Sequence, residues 1–157
     1  MLVRSARMTD MEKIAATHRA SIRDLCSAFY TKQDIDAWTG IIDPGIYESA
    51  IKEKVMIVAE EEGEIVGLGI LDLERREIGA IYIHPRVKGA GVGACLLSAL
   101  EARASNDHAE RLTLCSTINA LGFYKHHGYM SEGKAFHELP DGLRLECIRM
   151  YKDLVKE

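Results

Sequence analysis

Two periods of hydrophobic and polar residues occur along this chain, and together they divide it into strands and helices. Apolar residues that recur every second position, or run continuously for a few residues, predict strands, whereas recurrence every three or four positions predicts helices. By this criterion the strands cover residues 2–7, 55–60, 65–72, 77–84, 112–115, 130–136 and 143–150. The helices cover residues 10–27, 32–38, 91–105 and 120–127. The predicted order is β-α-α-β-β-β-α-β-α-β-β.

This order of elements predicts a mixed α/β sheet. A turn over 61–64, which contains Gly63, joins the second and third strands as an antiparallel hairpin. The helix over 91–105 instead crosses over to a parallel strand, because two parallel strands need a long connection between them. With 157 residues and a mass of 17.5 kDa, the chain fits a single domain over residues 1–157. The pattern does not fix the spatial order of the strands.

The composition is that of an ordinary globular protein, with 47% hydrophobic and 28% charged residues. It excludes a disordered chain, a collagen-like repeat and a disulfide scaffold. The formal net charge is −4, so no overall positive field attracts a nucleic-acid backbone. Any anionic ligand must therefore be held by local geometry.

The four cysteines, Cys26, Cys95, Cys115 and Cys147, form no C-x-x-C pair and have no histidine at zinc-finger spacing. Reduced thiols and the absence of a metal site are therefore expected. The first residues contain no apolar block of signal-peptide length before Asp10, and no stretch approaches the ~18 apolar residues of a membrane span. We accordingly expect a cytoplasmic protein that has no membrane or nucleic-acid partner.

The strongest local signal lies at the junction of the fourth strand and the third helix. Gly89, Gly91 and Gly93 alternate there, and Arg86 and Lys88 precede them. Glycine lets backbone N–H groups turn towards a ligand, and the first turn of a helix leaves further N–H groups unpaired at the positive end of its dipole. This arrangement predicts a seat for a phosphate or a pyrophosphate. A merely flexible turn would need only one or two glycines.

A dinucleotide-binding domain is the competing interpretation, because Gly89, Gly91 and Ala94 satisfy the G-x-G-x-x-G/A fingerprint. Two features weaken it. The spacer 84–88 separates the strand from the glycines, whereas the fingerprint normally follows its strand at once. The acid expected about 20 residues later is also missing, since the next strand ends at 114–116 in Leu-Cys-Ser.

Two blocks of sequence carry a more specific signal together than either does alone. The first is Lys-Gly-Ala-Gly-Val-Gly at 88–93, preceded by Ile-Tyr-Ile-His-Pro at 81–85. The second is Asn-Ala-Leu-Gly-Phe-Tyr-Lys-His-His-Gly-Tyr at 119–129. Over almost the whole chain the sequence resembles the GNAT superfamily of acyl-CoA-dependent N-acyltransferases. Lys88 stands where that family has Arg or Gln, and Tyr129 replaces its final Phe.

The resemblance implies a GNAT fold whose central sheet splays between the fourth and fifth strands. In that family the pantetheine arm of acyl-CoA lies in the opening and pairs with the fourth strand. The backbone of Ile81, Tyr82 and Ile83 would then line the arm and offer an N–H to the thioester carbonyl. Asn119 would hydrogen-bond to the pantetheine or to its neighbouring loop. The pyrophosphate would be held by the amides of Lys88, Gly89, Ala90, Gly91, Val92, Gly93 and Ala94.

The resemblance also implies the reaction, in which acetyl-CoA, as co-substrate and without a metal, donates its acetyl group directly to a primary amine. Tyr124 resembles the family's general acid, which protonates the leaving thiolate. Glu77 begins the fourth strand, where several members place a glutamate that deprotonates the amine, often through water. The plainer interpretations are that Tyr124 packs beside Phe123 and that Glu77 is a solvated carboxylate.

Other reactive side chains have weaker cases. His126 and His127 occupy variable positions of the second block, so solvated histidines at a helix end are expected. Cys115 would lie near the thioester, but a buried apolar strand raises the pKa of a thiol and disfavours a covalent acyl-enzyme. His137 falls in the expected loop between the last two strands, and its role is open.

In the family, the acceptor is recognised mainly by the early helices and the final hairpin. These segments carry aromatic and acidic residues, which suit a cationic amine but also describe an ordinary solvated face: Asp24, Phe29, Tyr30, Asp34, Asp36, Trp38, Tyr47 and His137. The expected partner is a small-molecule or peptide amine, and a homodimer is left open. Two other functions stay open, namely a non-catalytic acyl-CoA sensor, which would not need Tyr124, and a nucleotide-binding α/β domain.

Overall fold

Seven strands form one sheet in the computed structural model, which describes residues 1–140 and 142–154. They are β1 (Leu2–Ser5), β2 (Val55–Glu61), β3 (Glu64–Asp72), β4 (Glu77–Ile83), β5 (Arg111–Ser116), β6 (Met130–Glu138) and β7 (Arg144–Asp153). Their spatial order is β1-β2-β3-β4-β5-β7-β6, with β4 and β5 parallel and the other neighbours antiparallel. The predicted mixed α/β sheet and its parallel crossover are confirmed.

Five α-helices accompany the sheet in the described part of the chain: α1 (Met11–Leu25), α2 (Lys32–Gly40), α3 (Glu48–Glu53), α4 (Val92–Asn106) and α5 (Leu121–His126). The sequence predicts all of them except α3. That helix has six residues and buries only Ala50, so it leaves no amphipathic period to detect. None of these helices combines the length and the apolar composition that crossing a membrane requires.

The helices cover both faces of the sheet and give the molecule two cores. On one face, Leu96, Leu97 and Leu100 of α4 are buried, and Tyr124 of α5 joins the same apolar cluster. On the other face, Ile22 of α1 belongs to a second cluster that includes residues of α2 and α3. Helices α4 and α5 therefore lie on one side of the sheet, and α1 to α3 lie on the other.

Helix α4 lies close to β3 because Gly67 has no side chain. A Cβ at Gly67 would be 2.8 Å from Leu96 Cδ1 and 3.2 Å from Val92 Cγ1. In the sheet, Gly67 is the partner of Ile83, the last residue of β4. This contact therefore fixes the N-terminus of α4 beside the end of β4.

Strands β4 and β5 separate soon after they begin. In the described structure they pair at Glu77 and Ile78 of β4 and no further along. On its other edge, β4 stays paired with β3 as far as Ile83. The separation begins at a bulge in β4, where Gly79 is the extra residue. The predicted opening between the fourth and fifth strands is present.

Candidate functional site

The edge of β4 that faces β5 presents backbone hydrogen-bonding groups to the opening. His84 donates its N–H to the carbonyl oxygen of Val66 in β3 at 2.8 Å, so His84 and Tyr82 direct their backbone groups towards β3. Alternate residues of a strand point the opposite way. Ile81 and Ile83 therefore direct their N–H and C=O groups into the opening, where an extended ligand can pair with them.

The opening continues into a cavity of about 700 Å³. In the described part of the chain, its wall comes from the C-terminal half of α1, the end of β4, the first turn of α4 and the segment 117–127. The turn over 88–91, named here the glycine loop, completes the wall. Because α1 lies on one face of the sheet and α4 and α5 lie on the other, the cavity reaches from face to face. Two molecules can meet inside it.

The glycine loop turns the chain from β4 into α4. Gly89 and Gly91 have φ angles of +80° and +86°, which residues with a side chain rarely adopt. The N–H groups of Lys88 and Ala90 close turns on carbonyls of the segment Pro85–Val87. Two amides of the loop are therefore already hydrogen-bonded within the loop's own turns.

The start of α4 adds amides that have no helical partner. The first bond into the helix runs from the N–H of Cys95 to the carbonyl oxygen of Gly91 at 3.1 Å, so the amides of 92–94 precede it. Together with the amides of the two positive-φ glycines, they form a row of donors at the positive end of the helix dipole. All of these residues, and Lys88, line the cavity. The amides of Lys88 and Ala90 are used in the loop's own turns. The rest of the amides predicted to hold a pyrophosphate are available for one: Gly89, Gly91, Val92, Gly93 and Ala94.

Asn119 supplies an acceptor to the same cavity. Its Oδ1 atom is buried and has no hydrogen-bond partner in the described chain, and the residue belongs to the cavity wall. Burying an amide oxygen without a partner costs free energy. The atom therefore fits a ligand that brings an N–H group into the cavity.

Tyr30 holds the short helical turn that carries Asn119. Its hydroxyl donates a hydrogen bond to the carbonyl oxygen of Glu146 at 2.6 Å and accepts one from the N–H of Ile118 at 3.2 Å. The segment between α1 and α2 is thereby tied to β7 and to the turn Ile118–Ala120. The sequence suggests Tyr30 only for acceptor recognition, because bonds to partners 88 and 116 residues away leave no local signal.

Tyr124 lies between the opening and the cavity. Its side chain lines both, and the residue is 6% exposed. The ring makes edge contacts with Phe123 and Tyr129, at centroid distances of 5.1 and 5.6 Å. Burial raises the pKa of the Tyr124 phenol, so the group stays protonated at neutral pH. A protonated hydroxyl is therefore held beside the opening.

Glu77 begins β4, as the sequence predicts, but the structure does not bring it to Tyr124. It lies at the end where β4 and β5 are still paired. Ile81 is four residues further along β4, which corresponds to about 13 Å in a strand. Glu77 is not part of the cavity wall, and none of the described residues that line the cavity is Asp or Glu.

Four residues lie differently from the expectation. Cys115 is exposed on the edge of the opening rather than buried, because β4 has moved away from β5 at that point. His137 belongs to β6 and not to a loop, since β6 continues to Glu138. His126 and His127 both line the cavity and do not face only solvent, although His126 is exposed.

One residue of the set predicted for acceptor recognition, all of which the structure describes, lines the cavity. This residue is Phe29, which is 52% exposed. Leu25 and Cys26 lie beside it and complete an apolar wall on the α1 side. Trp38 and Tyr47 are buried in the core on the same face of the sheet.

Known proteins resemble this chain in sequence and in fold. A family model described as "Acetyltransferase (GNAT) domain" matches residues 26–150. The uncharacterized protein YdhI of Bacillus subtilis (strain 168) is 31% identical over 72 residues, which cover 44% of this chain and 45% of YdhI. The chain thus matches less than half the length of that relative.

Solved structures resemble the fold over nearly its whole length. A GCN5-related N-acetyltransferase from Rhodopseudomonas palustris is 27% identical and superposes with a TM-score of 0.90, covering 98% of this chain and 95% of that one. PaiA N-acetyltransferase from Thermoplasma acidophilum, solved in complex with coenzyme A, is 16% identical with a TM-score of 0.76 and covers 98% of both chains. YncA from Salmonella typhimurium, solved with acetyl-CoA, is 20% identical with a TM-score of 0.65 and covers 100% and 95%. The last two likenesses show the fold alone.

Proposed function

The chain belongs to the GNAT acetyltransferase family, and from this premise we propose that it transfers the acetyl group of acetyl-CoA directly to a primary amine. The observation that carries the proposal is the opening between β4 and β5. It has unpaired backbone groups of Ile81 and Ile83 on one side and the protonated hydroxyl of Tyr124 on the other, and it leads to the glycine loop. Such an opening suits a thioester on a long arm that leads to a diphosphate.

The residues present fit acetyl-CoA, which supplies the activated acetyl group as a thioester. The amides of the glycine loop and of the first turn of α4 would hold the diphosphate, with the Lys88 ammonium beside them. The pantetheine arm contains amide groups that can pair with the backbone of Ile81 and Ile83. One of its N–H groups would satisfy the buried Oδ1 of Asn119.

The same strand edge also favours the reaction. When an amine nitrogen attacks the thioester carbon, negative charge develops on the carbonyl oxygen. A backbone N–H that already points into the opening stabilises this charge without reorganisation. Ile81 and Ile83 are the residues of β4 whose N–H groups point there.

Tyr124 would complete the transfer by donating its proton to the leaving sulfur. The new C–N bond forms, the C–S bond breaks, and the thiolate of coenzyme A takes the phenolic proton. Tyr124 regains a proton from the nitrogen, which loses one as it becomes an amide. A thiol has a pKa of about 8.5, so a thiolate is a tolerable leaving group and the acid is helpful rather than indispensable. The raised pKa of Tyr124 keeps the proton in place until the thiolate forms.

The acceptor amine must lose a proton before it can attack. Holding an alkylamine unprotonated at neutral pH costs about 4–5 kcal/mol, given its pKa of about 10.4. We assign Glu77 as the base that receives this proton. Because Glu77 lies outside the cavity wall, it would act through intervening water. The amine, on a small molecule or a peptide, would approach from the apolar α1 side.

Two measurements on the full chain test the proposal. Acetyl-CoA at about 100 times its dissociation constant should raise the melting temperature by about 5–10 °C, since binding adds about 2.7 kcal/mol. Mass spectrometry of a panel of primary amines incubated with acetyl-CoA and the protein should then reveal an N-acetylated product. Binding without turnover of any amine would indicate a sensor. A shift with NAD and none with acetyl-CoA would overturn the proposal in favour of a nucleotide-binding domain.

A further inference from the structure

Two adjacent histidines form part of the cavity wall opposite α1. His126 is the last residue of α5 and His127 follows it, and their rings are 5.2 Å apart. His126 is exposed and His127 is half-buried, so water and ligands can reach both. A helix C-terminus favours positively charged side chains. Both rings therefore lie where a positive charge is favoured and where an anionic ligand can reach them.

The histidines are separate from the donors of the glycine loop but close to them. The ring of His127 lies 4.8 Å from the ring of Phe123, and a Cβ at Gly93, in the first turn of α4, would be 3.3 Å from Phe123 Cε1. Phe123 is therefore close both to His127 and to the first turn of α4. The cavity therefore offers two places for anions, one on the amides and one on the imidazoles.

The other titratable side chains in the described cavity wall carry no negative charge that would neutralise the histidines. Lys88 is the other cationic side chain in the described wall. Burial raises the pKa of the Cys26 thiol to about 12 and raises the pKa of the Tyr82 and Tyr124 phenols, so all three are neutral from pH 6 to 9. None of the described residues that line the cavity carries a carboxylate.

We infer that His126 and His127 bind the 3′-phosphate of coenzyme A, an inference that rests on the proposed function. Coenzyme A carries this phosphomonoester on the ribose next to its diphosphate. Once the diphosphate occupies the amides of the glycine loop and α4, the monoester remains as a further dianion near neutral pH. Besides Lys88, the imidazole pair is the group in the described wall that can carry a positive charge, and Phe123 lies close both to His127 and to the first turn of α4.

The inference has two consequences for binding. The protein prefers coenzyme A to dephospho-coenzyme A, which differs only by the 3′-phosphate. The preference also falls as the pH rises, because imidazole changes charge between pH 5 and 8 and only the protonated ring brings a positive charge to the phosphate.

The test is to measure the dissociation constants of both ligands at pH 6.5 and 8.5 by calorimetry. The wild type should bind coenzyme A about tenfold more tightly at pH 6.5, which corresponds to about 1.4 kcal/mol, and less than about threefold more tightly at pH 8.5. Both ligands carry the same thiol, so its own ionisation cancels in the ratio. In a double variant, His126→Gln with His127→Gln, the preference should disappear at both pH values.

Two controls keep the result interpretable. Lys125→Gln removes a positive charge from the same helix but from outside the cavity wall, and it should leave the preference unchanged. The single variant His126→Gln changes an exposed side chain, so it tests the idea even if loss of the contact between His127 and Phe123 destabilises the double variant. Equal affinity of the wild type for both ligands would overturn the inference and leave the proposed function intact. Failure to bind either ligand would overturn both.

Discussion

The two walls of the cavity are built by different means. The wall made by β4, the glycine loop and α4 offers backbone groups, supported by Asn119 and Tyr124. The wall made by α1 offers the apolar side chains of Leu25, Cys26 and Phe29. Apart from the glycines that its turns require, a backbone wall presents the same hydrogen-bonding groups whichever side chains the residues carry. The surface of a side-chain wall changes with each substitution. The difference explains why the sequence points to the co-substrate and not to the amine.

The largest expected effect comes from removing the hydroxyl of Tyr124, the proposed proton donor of the backbone wall. Tyr124→Phe should lower kcat by about 100-fold and leave the KM for acetyl-CoA unchanged, because the hydroxyl acts only on the leaving sulfur. Steady-state kinetics measures both constants. Tyr151→Phe removes the same atom from a tyrosine outside the cavity and serves as the control. An unchanged kcat in Tyr124→Phe would remove this residue from the mechanism.

The next effect tests whether the amides of the glycine loop hold the co-substrate. Gly91→Ala should weaken acetyl-CoA binding by about 5- to 30-fold, because a side chain in the left-handed region costs about 1–2 kcal/mol. No atom would clash with the new Cβ, so strain at a φ of +86° is the cause. Calorimetry gives the dissociation constant. The control is Gly122→Ala, which adds an equally unhindered Cβ and should bind acetyl-CoA normally. Equal affinities of the two variants would count against binding of the diphosphate by the glycine loop.

A smaller effect concerns Glu77, the proposed base, which lies outside both walls. Glu77→Gln should lower the rate by about tenfold at pH 7, because the amine then loses its assisted deprotonation. The deficit should shrink towards pH 10, where free amine is abundant without a base. A pH–rate profile measures this, with Glu74→Gln as an exposed carboxylate control. Full activity of Glu77→Gln at pH 7 would show that Glu77 is not the base.

The smallest effect should separate the apolar wall from the backbone wall. Phe29→Ala should raise the KM for the amine by about fivefold, equivalent to about 1 kcal/mol of lost contact, and leave the dissociation constant of acetyl-CoA within about twofold. Kinetics and calorimetry on the same preparation give both values. Phe136→Ala removes an exposed phenylalanine outside the cavity and should change neither. A loss of acetyl-CoA affinity in Phe29→Ala would mean that this ring also contacts the co-substrate.

The features that the sequence predicts well are those that one short segment determines. The glycine loop follows from Gly89 and Gly91, because a positive φ at each is a local requirement. Asn119 and Tyr124 lie at the cavity, as the resemblance of the block 119–129 to the GNAT superfamily implies. The period of the apolar residues likewise gives seven strands and four of the five described helices.

The features that the sequence does not predict depend on contacts between distant parts of the chain. The bulge at Gly79 is one residue within an otherwise regular strand, yet it accompanies the separation of β4 from β5. That separation leaves Glu77 at the closed end and exposes Cys115. His126 and His127 line the cavity only because α5 packs on the α4 face of the sheet. No local pattern records such packing.

The hydroxyl of Tyr30 has a consequence for how strongly the two proposed substrates influence each other's binding. It joins the segment after α1 to the turn that presents Asn119, so under the proposed function a movement of the α1 side, where the amine would enter, would also loosen the turn that would hold the pantetheine. Occupancy of either place then restrains the shared segment, and the coupling free energy acts equally in both directions. Acetyl-CoA and the amine should therefore bind with positive cooperativity, which the Tyr30→Phe substitution would weaken.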